Sequence, residues 1–103
     1  MNQYPTNAEE TLFLMLERMN LFYNNKLTLQ TLVSDLESLT NILGTFNPDL
    51  QKILFKKWEV LEEVNALLLC EEFLIGEAEA KSTIKNTLYD LGKVVEKALS
   101  MLQ

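Results

Sequence analysis

Residues 47–70 read NPDLQKILFKKWEVLEEVNALLLC, and this stretch decides the fold. Asn47 is a good N-cap, Pro48 suits the first turn of a helix, and Asp49 complements the positive end of the helix dipole. Apolar residues then recur at the three- and four-residue spacing of a buried helix face: Leu50, Ile53, Leu54, Trp58, Leu61, Val64 and Leu68. A second apolar set points elsewhere: Val60, Leu67 and Leu69. We therefore expect a helix of about 40 Å, central to a bundle or partly covered by another protein.

Similar signals outline three further helices. Asn7 and Thr28 are good N-caps, and Gly44 lies where a glycine commonly ends a helix. The chain has only three glycines and two prolines, which argues against strands joined by frequent turns. The helices are expected over residues 8–24, 29–43, 48–74 and 79–101. The prediction is an all-α fold, a compact four-helix domain with a long third helix, in which residues 1–103 form one domain.

Composition excludes several functional classes. Apolar residues make up 48% of the chain and charged residues 23%, as in average globular proteins. The net charge of −6 opposes binding to nucleic acids and anionic membranes, because phosphates are neutralised by clustered Lys and Arg. No uncharged run, residues 66–70 included, approaches the roughly 20 residues of a membrane span. The amino terminus lacks the order of a signal peptide, so we expect a cytoplasmic protein with cationic partners.

No catalytic or cofactor chemistry is indicated. Histidine is absent, which removes the usual general base and the commonest metal ligand, and there is no glycine-rich phosphate loop. Glu59 with Glu62 or Glu63 could hold a hard cation, but a solvated helix face is the favoured interpretation. Cys70 precedes two glutamates that oppose thiolate formation, so we expect an inert thiol that is buried or half-buried. We expect no enzyme activity, cofactor or metal.

The charge pattern of the third helix favours a binding face. Between Trp58 and Ala80 the chain carries seven carboxylates and no lysine or arginine, whereas Lys52 and Lys56 precede this stretch. Lysine near the positive helix end and glutamate near the negative end oppose the dipole preference, at about 0.3–1 kcal/mol for each exposed charge. A surface tuned only for stability would reverse this order. An ordinary solvated face is about equally compatible with the pattern, and the shortage of countercharges favours binding.

Two segments of the chain resemble a known family. They are Leu32-Val33-x-Asp35-Leu36-Glu37-x-Leu39 and Trp58-Glu59-Val60-Leu61-Glu62-Glu63-Val64-Asn65-Ala66-Leu67. In both, the chain resembles small helical bacterial proteins that serve as immunity proteins of contact-dependent growth inhibition and related polymorphic toxin systems. The similarity extends over residues 26–75, and the remaining residues match only in helical character.

The resemblance implies a small, acidic, non-enzymatic protein that binds a cognate toxin C-terminal domain tightly and neutralises it. Many such toxins are nucleases with basic clefts that hold phosphates, and an RNase of the EndoU type is the expected partner. On this hypothesis a set of carboxylates replaces the phosphates of the substrate: Asp35, Glu37, Glu59, Glu62, Glu63, Glu71 and Glu72. Neutralising them should weaken binding and flatten its salt dependence.

Two other classes stay open. In a helical adaptor that binds an amphipathic helix, the exposed apolar residues Val60, Leu67 and Leu69 would carry the affinity, with weak salt dependence. In a self-associating bundle, such as a homodimer, the surplus apolar surface of the third helix would be buried between copies. Sedimentation at micromolar concentration distinguishes a monomer from the second of these classes.

Overall fold

The computed structural model describes residues 5–70 and 76–102, and all regular structure in them is helical. The four helices are α1 Ala8–Tyr23, α2 Leu29–Leu43, α3 Pro48–Leu69 and α4 Glu77–Leu102. The all-α, four-helix prediction is confirmed. The bounds of α2 agree with the expected ones, α1 ends one residue earlier, and α4 begins two residues earlier and ends one residue later.

The helix starts agree with the capping signals of the sequence. Asn7, Thr28 and Asn47 each accept a hydrogen bond from the backbone N–H three residues later, at 2.8, 3.1 and 3.1 Å respectively. Pro48 occupies the first turn of α3, where a missing N–H costs nothing. These bonds satisfy N–H groups that have no partner inside the helix, so each side chain fixes where its helix begins.

The predicted carboxy-terminal end of α3 is wrong. The helix ends at Leu69, where Cys70 adopts an extended backbone (φ −78°, ψ 127°), so its 22 residues span about 33 Å. Val64 is the last buried residue of α3, and of the described residues after it, up to Cys70, none is fully buried in the core. The glutamates that follow Cys70 also disfavour a longer helix, because negative charge is unfavourable near the negative, carboxy-terminal end of the helix dipole.

The helices pack as a closed ring of neighbours. In the described parts of the chain, backbone contacts join α1 to α2, α2 to α3, α3 to α4 and α4 back to α1, and none crosses a diagonal. Residues 24–28 and 44–47 form short connections, which are typical of antiparallel neighbours in a bundle. The α1–α4 side of the bundle is therefore opposite the α2–α3 side.

The core uses a narrower face of α3 than the sequence predicted. Leu54, Trp58, Leu61 and Val64 are buried. Ile53 and Leu68 were expected in the same stripe but are half exposed, at 50% and 43%. Both predictions are wrong because α3 contacts only α2 and α4: Ile53 lies beside this buried arc, and Leu68 lies past its end.

Candidate partner-binding face

Three of the predicted binding glutamates lie together on the outside of α3. Glu59, Glu62 and Glu63 are exposed and surround an open depression of about 360 Å³ that is also lined by Phe55, Trp58 and Ala66. Glu62 and Glu63 are three and four residues after Glu59, the spacing that places side chains next to each other on a helix. We call the surface formed by Glu59, Glu62, Glu63 and Phe55 the acidic face.

Trp58 and Phe55 give the acidic face an aromatic floor. Trp58 is buried, and its Nε1–H donates a 2.8 Å hydrogen bond to the backbone oxygen of Val33 in α2. The Phe55 ring lies against the indole, with centroids 5.2 Å apart and planes inclined by 31°. Phe55 remains 36% exposed. A rigid buried indole therefore supports a phenylalanine that a partner can reach.

The negative charge of the acidic face is not neutralised within the described residues. The ion pairs among the described residues are Arg18–Asp35 at 3.7 Å and Lys81–Glu77 at 3.2 Å, and neither belongs to the acidic face. Lys52, Lys56 and Lys57 precede the face on α3 and form no ion pair within the described chain, although Lys56 lies one helix turn before Glu59. The face thus keeps a net negative charge that attracts a cationic partner.

The two acidic residues predicted from α2 lie on different sides of that helix. Glu37 follows Val33 by one turn, so it lies on the side of α2 that meets α3. Asp35 faces the other way and pairs with Arg18 of α1. The structure thus places Glu37 on the α3 side and separates Asp35 from the acidic face. This separation depends on which helices are neighbours, which local sequence patterns do not reveal.

The remaining predicted residues lie at or beyond the end of α3. Glu71 and Glu72 are outside the described residues, so their part in the binding face stays a prediction. Cys70 is half-buried, as expected, and lines a separate depression between the end of α3 and the start of α4, together with Leu67 and Ala80.

A second concave surface, between α1 and α4, was not predicted. It consists of two adjacent depressions of about 320 Å³ each, which share Tyr23 and Leu88 as lining residues. Its other lining residues are Leu16, Met19, Asn20, Phe22, Lys81, Ile84, Lys85, Tyr89, Gly92, Lys93 and Glu96. We call it the α1–α4 groove. A four-residue repeat of Lys81, Lys85, Tyr89 and Lys93 along α4 was the signal in the sequence that could have revealed it.

Tyr23 forms part of the wall of this groove. Its side chain is 54% exposed, yet the part that is buried raises the pKa of its hydroxyl above the ordinary value of 10.0. A tyrosine hydroxyl is neutral at physiological pH even at its ordinary pKa, so this group can act as a hydrogen-bond donor. The wall presents an aromatic ring and a neutral polar group, not a negative charge.

The described residues show no site for a metal and no helix that could span a membrane. No three Asp, Glu or Cys side chains among them converge to hold a metal ion. None of the four described helices is both long and apolar enough to cross a bilayer. No protein-family model, curated protein or solved structure matches the chain.

Proposed function

We propose that this chain is an immunity protein that binds and neutralises a cognate toxin domain through the acidic face. The observation that supports this proposal best is the arrangement of Glu59, Glu62 and Glu63, which form no ion pair in the described chain, around the exposed ring of Phe55. Charge steers the encounter, and a central aromatic residue in a largely desolvated contact supplies much of the affinity.

The partner that best fits this face is a nuclease with a basic cleft. Such a cleft binds the phosphates of its substrate, and the three carboxylates of the acidic face carry comparable charge at the spacing of one helix turn. The RNase of the EndoU type that the family resemblance implies is one such nuclease. Inhibition of this kind takes place in the bacterial cytoplasm, where the substrate RNA is found.

The test is co-purification with basic nuclease domains, followed by a salt titration of the complex that forms. The face variant, in which Glu59, Glu62 and Glu63 are all changed to Gln, should lose most of its affinity at low salt. A control in which Glu17→Gln, Glu79→Gln and Asp90→Asn change the same net charge at exposed positions elsewhere should bind like the original chain. Unchanged affinity of the face variant would exclude this face.

A second candidate function is a helical adaptor that binds an amphipathic helix. It is favoured by apolar side chains that α3 exposes to solvent, since Val60 is 39% and Leu69 is 64% exposed. Affinity would then depend on these residues and on Leu67, and would change little with salt. The same titration separates the two functions, because only the acidic face predicts a steep salt dependence.

A further inference from the structure

The α1–α4 groove is apolar along its floor and basic along one rim. Leu88 contributes to both halves of the floor, and Lys85 and Lys93 follow the α4 rim. Neither lysine forms an ion pair within the described residues, and the Lys93 ammonium lies 5.3 Å from the centre of the Tyr89 ring. Lys81 is the exception, since it pairs with Glu77. Glu96 also lines the groove and offsets part of this charge, so the groove carries a modest excess of positive charge in a chain whose net charge is −6.

Gly92 leaves open space on the α4 side of this groove. It lies in the middle of α4 and lines the groove, and a Cβ added there would meet nothing within 4 Å. Glycine inside a helix costs about 0.5–1 kcal/mol relative to alanine. Internal packing therefore does not explain the glycine. What it provides is space in which another side chain could approach the backbone of α4.

The acidic face lies on the opposite side of the bundle. Each helix contacts only its two neighbours in the ring, so the α1–α4 side is opposite the α2–α3 side. The Trp58–Val33 hydrogen bond places the adjoining Phe55 near α2. One side of the molecule thus presents exposed carboxylates and an aromatic ring around an open depression on α3. The other side is a groove with lysines along one rim and an apolar floor.

We propose that copies of this chain associate head to tail, with the acidic face of one copy seated in the α1–α4 groove of the next. The two surfaces have complementary charge, since Lys85 and Lys93 would meet Glu59, Glu62 and Glu63, and the exposed ring of Phe55 would face the open space beside Gly92. Because the two contact surfaces differ and lie on opposite sides, the contact is heterologous and forms open chains instead of two-fold dimers.

This contact uses the same face as the proposed toxin binding, but it does not depend on that function. If both occur, a toxin would dissociate the chains of copies by competing for Glu59, Glu62 and Glu63. The two proposals can fail independently, because self-association is measured on the purified chain without toxin, whereas toxin binding is measured by co-purification.

The first measurement is sedimentation equilibrium of the purified chain at increasing concentration. In roughly 20 mM salt the weight-average mass should rise continuously past that of a dimer, and roughly 500 mM salt should shift the equilibrium toward monomer by about tenfold or more in the association constant. A monomer at all concentrations in low salt would overturn the proposal, even if the groove binds an acidic peptide. A mass that levels off at a dimer would also overturn it.

The second measurement mixes two variants, each of which lacks one of the two contact surfaces and therefore should not self-associate. The groove variant, Lys85→Glu with Lys93→Glu, keeps its acidic face, and the face variant keeps its groove. Each should sediment as a monomer, whereas an equimolar mixture should form a 1:1 dimer and nothing larger, because only one intact contact remains. Association of the face variant alone would contradict the assignment of the acidic face.

A matched control tests whether the effect is local to the groove. Lys26 and Lys97 are exposed and outside the α1–α4 groove, so Lys26→Glu with Lys97→Glu changes the net charge as much as the groove variant does. This control should retain most of the self-association. If it associates as poorly as the groove variant, general charge repulsion is the cause and the proposed contact is wrong. Circular dichroism confirms that every variant is folded.

Discussion

The indole N–H of Trp58 donates a 2.8 Å hydrogen bond to the backbone oxygen of Val33, across the interface between α3 and α2. The bond joins two residues 25 positions apart and is buried. It satisfies the only polar atom of the indole and fixes the ring against which Phe55 packs. This hydrogen bond thus stabilises the packing of α3 against α2 and holds in place the indole that supports the acidic face.

Replacing Trp58 should therefore destabilise the fold measurably. Trp58→Phe removes the hydrogen bond, at about 0.5–1.5 kcal/mol, and leaves a space beside Val33, so the free energy of unfolding should fall by about 1–3 kcal/mol. Urea unfolding followed by circular dichroism measures it. Phe55→Leu, an apolar change at a half-exposed neighbour, should cost less. Equal losses for both variants would show that the bond contributes little.

The acidic face should be slightly unfavourable for stability. Glu59 lies three residues before Glu62 and four before Glu63, and like charges at these spacings each cost about 0.2–0.5 kcal/mol. The face variant should therefore unfold at a somewhat higher temperature than the original chain, and the difference should fade at high salt. The control at Glu17, Glu79 and Asp90 changes net charge equally and should gain less. A lower melting temperature for the face variant would mean that the glutamates stabilise α3.

Gly92→Ala should stabilise the protein. The position is helical, the added Cβ meets nothing within 4 Å, and alanine loses less backbone entropy on folding, so the free energy of unfolding should rise by about 0.5–1 kcal/mol. At Gly44 a Cβ would overlap the side-chain amide of Gln51, which must move aside, so Gly44→Ala should gain less. Thermal unfolding of both variants checks the order. A loss of stability at Gly92 would mean that α4 packs more closely there.

The parts of the fold that sequence predicts well are those decided locally. Asn47 and Pro48 fix the start of α3 because a cap and a proline act on adjacent backbone groups. The end of α3 was missed because it depends on where core contacts stop, and Ile53 was misplaced because a helix touching two neighbours buries only a narrow arc.

The residues of the candidate site show the same difference between features decided by local spacing and features decided by helix packing. Glu59, Glu62 and Glu63 were grouped correctly since helical spacing alone brings them together. Asp35 was not, because its contact with Arg18 depends on α1 packing beside α2. The α1–α4 groove joins residues from opposite ends of the chain, and no local pattern could have shown which α1 side chains face Lys85.

Phe55→Ala should separate binding from stability. The ring is partly exposed and contacts Trp58 from the outside, so its removal should cost the fold about 1–2 kcal/mol. An aromatic anchor at the centre of a contact contributes more, so toxin binding and self-association should each weaken about tenfold or more. Co-purification and sedimentation equilibrium measure the two effects. Ile53→Ala is the matched control, because Ile53 is also exposed on α3 but lies outside the acidic face. If Ile53→Ala weakens binding as much as Phe55→Ala, the apolar edge of α3 is the contact surface, as the adaptor function requires.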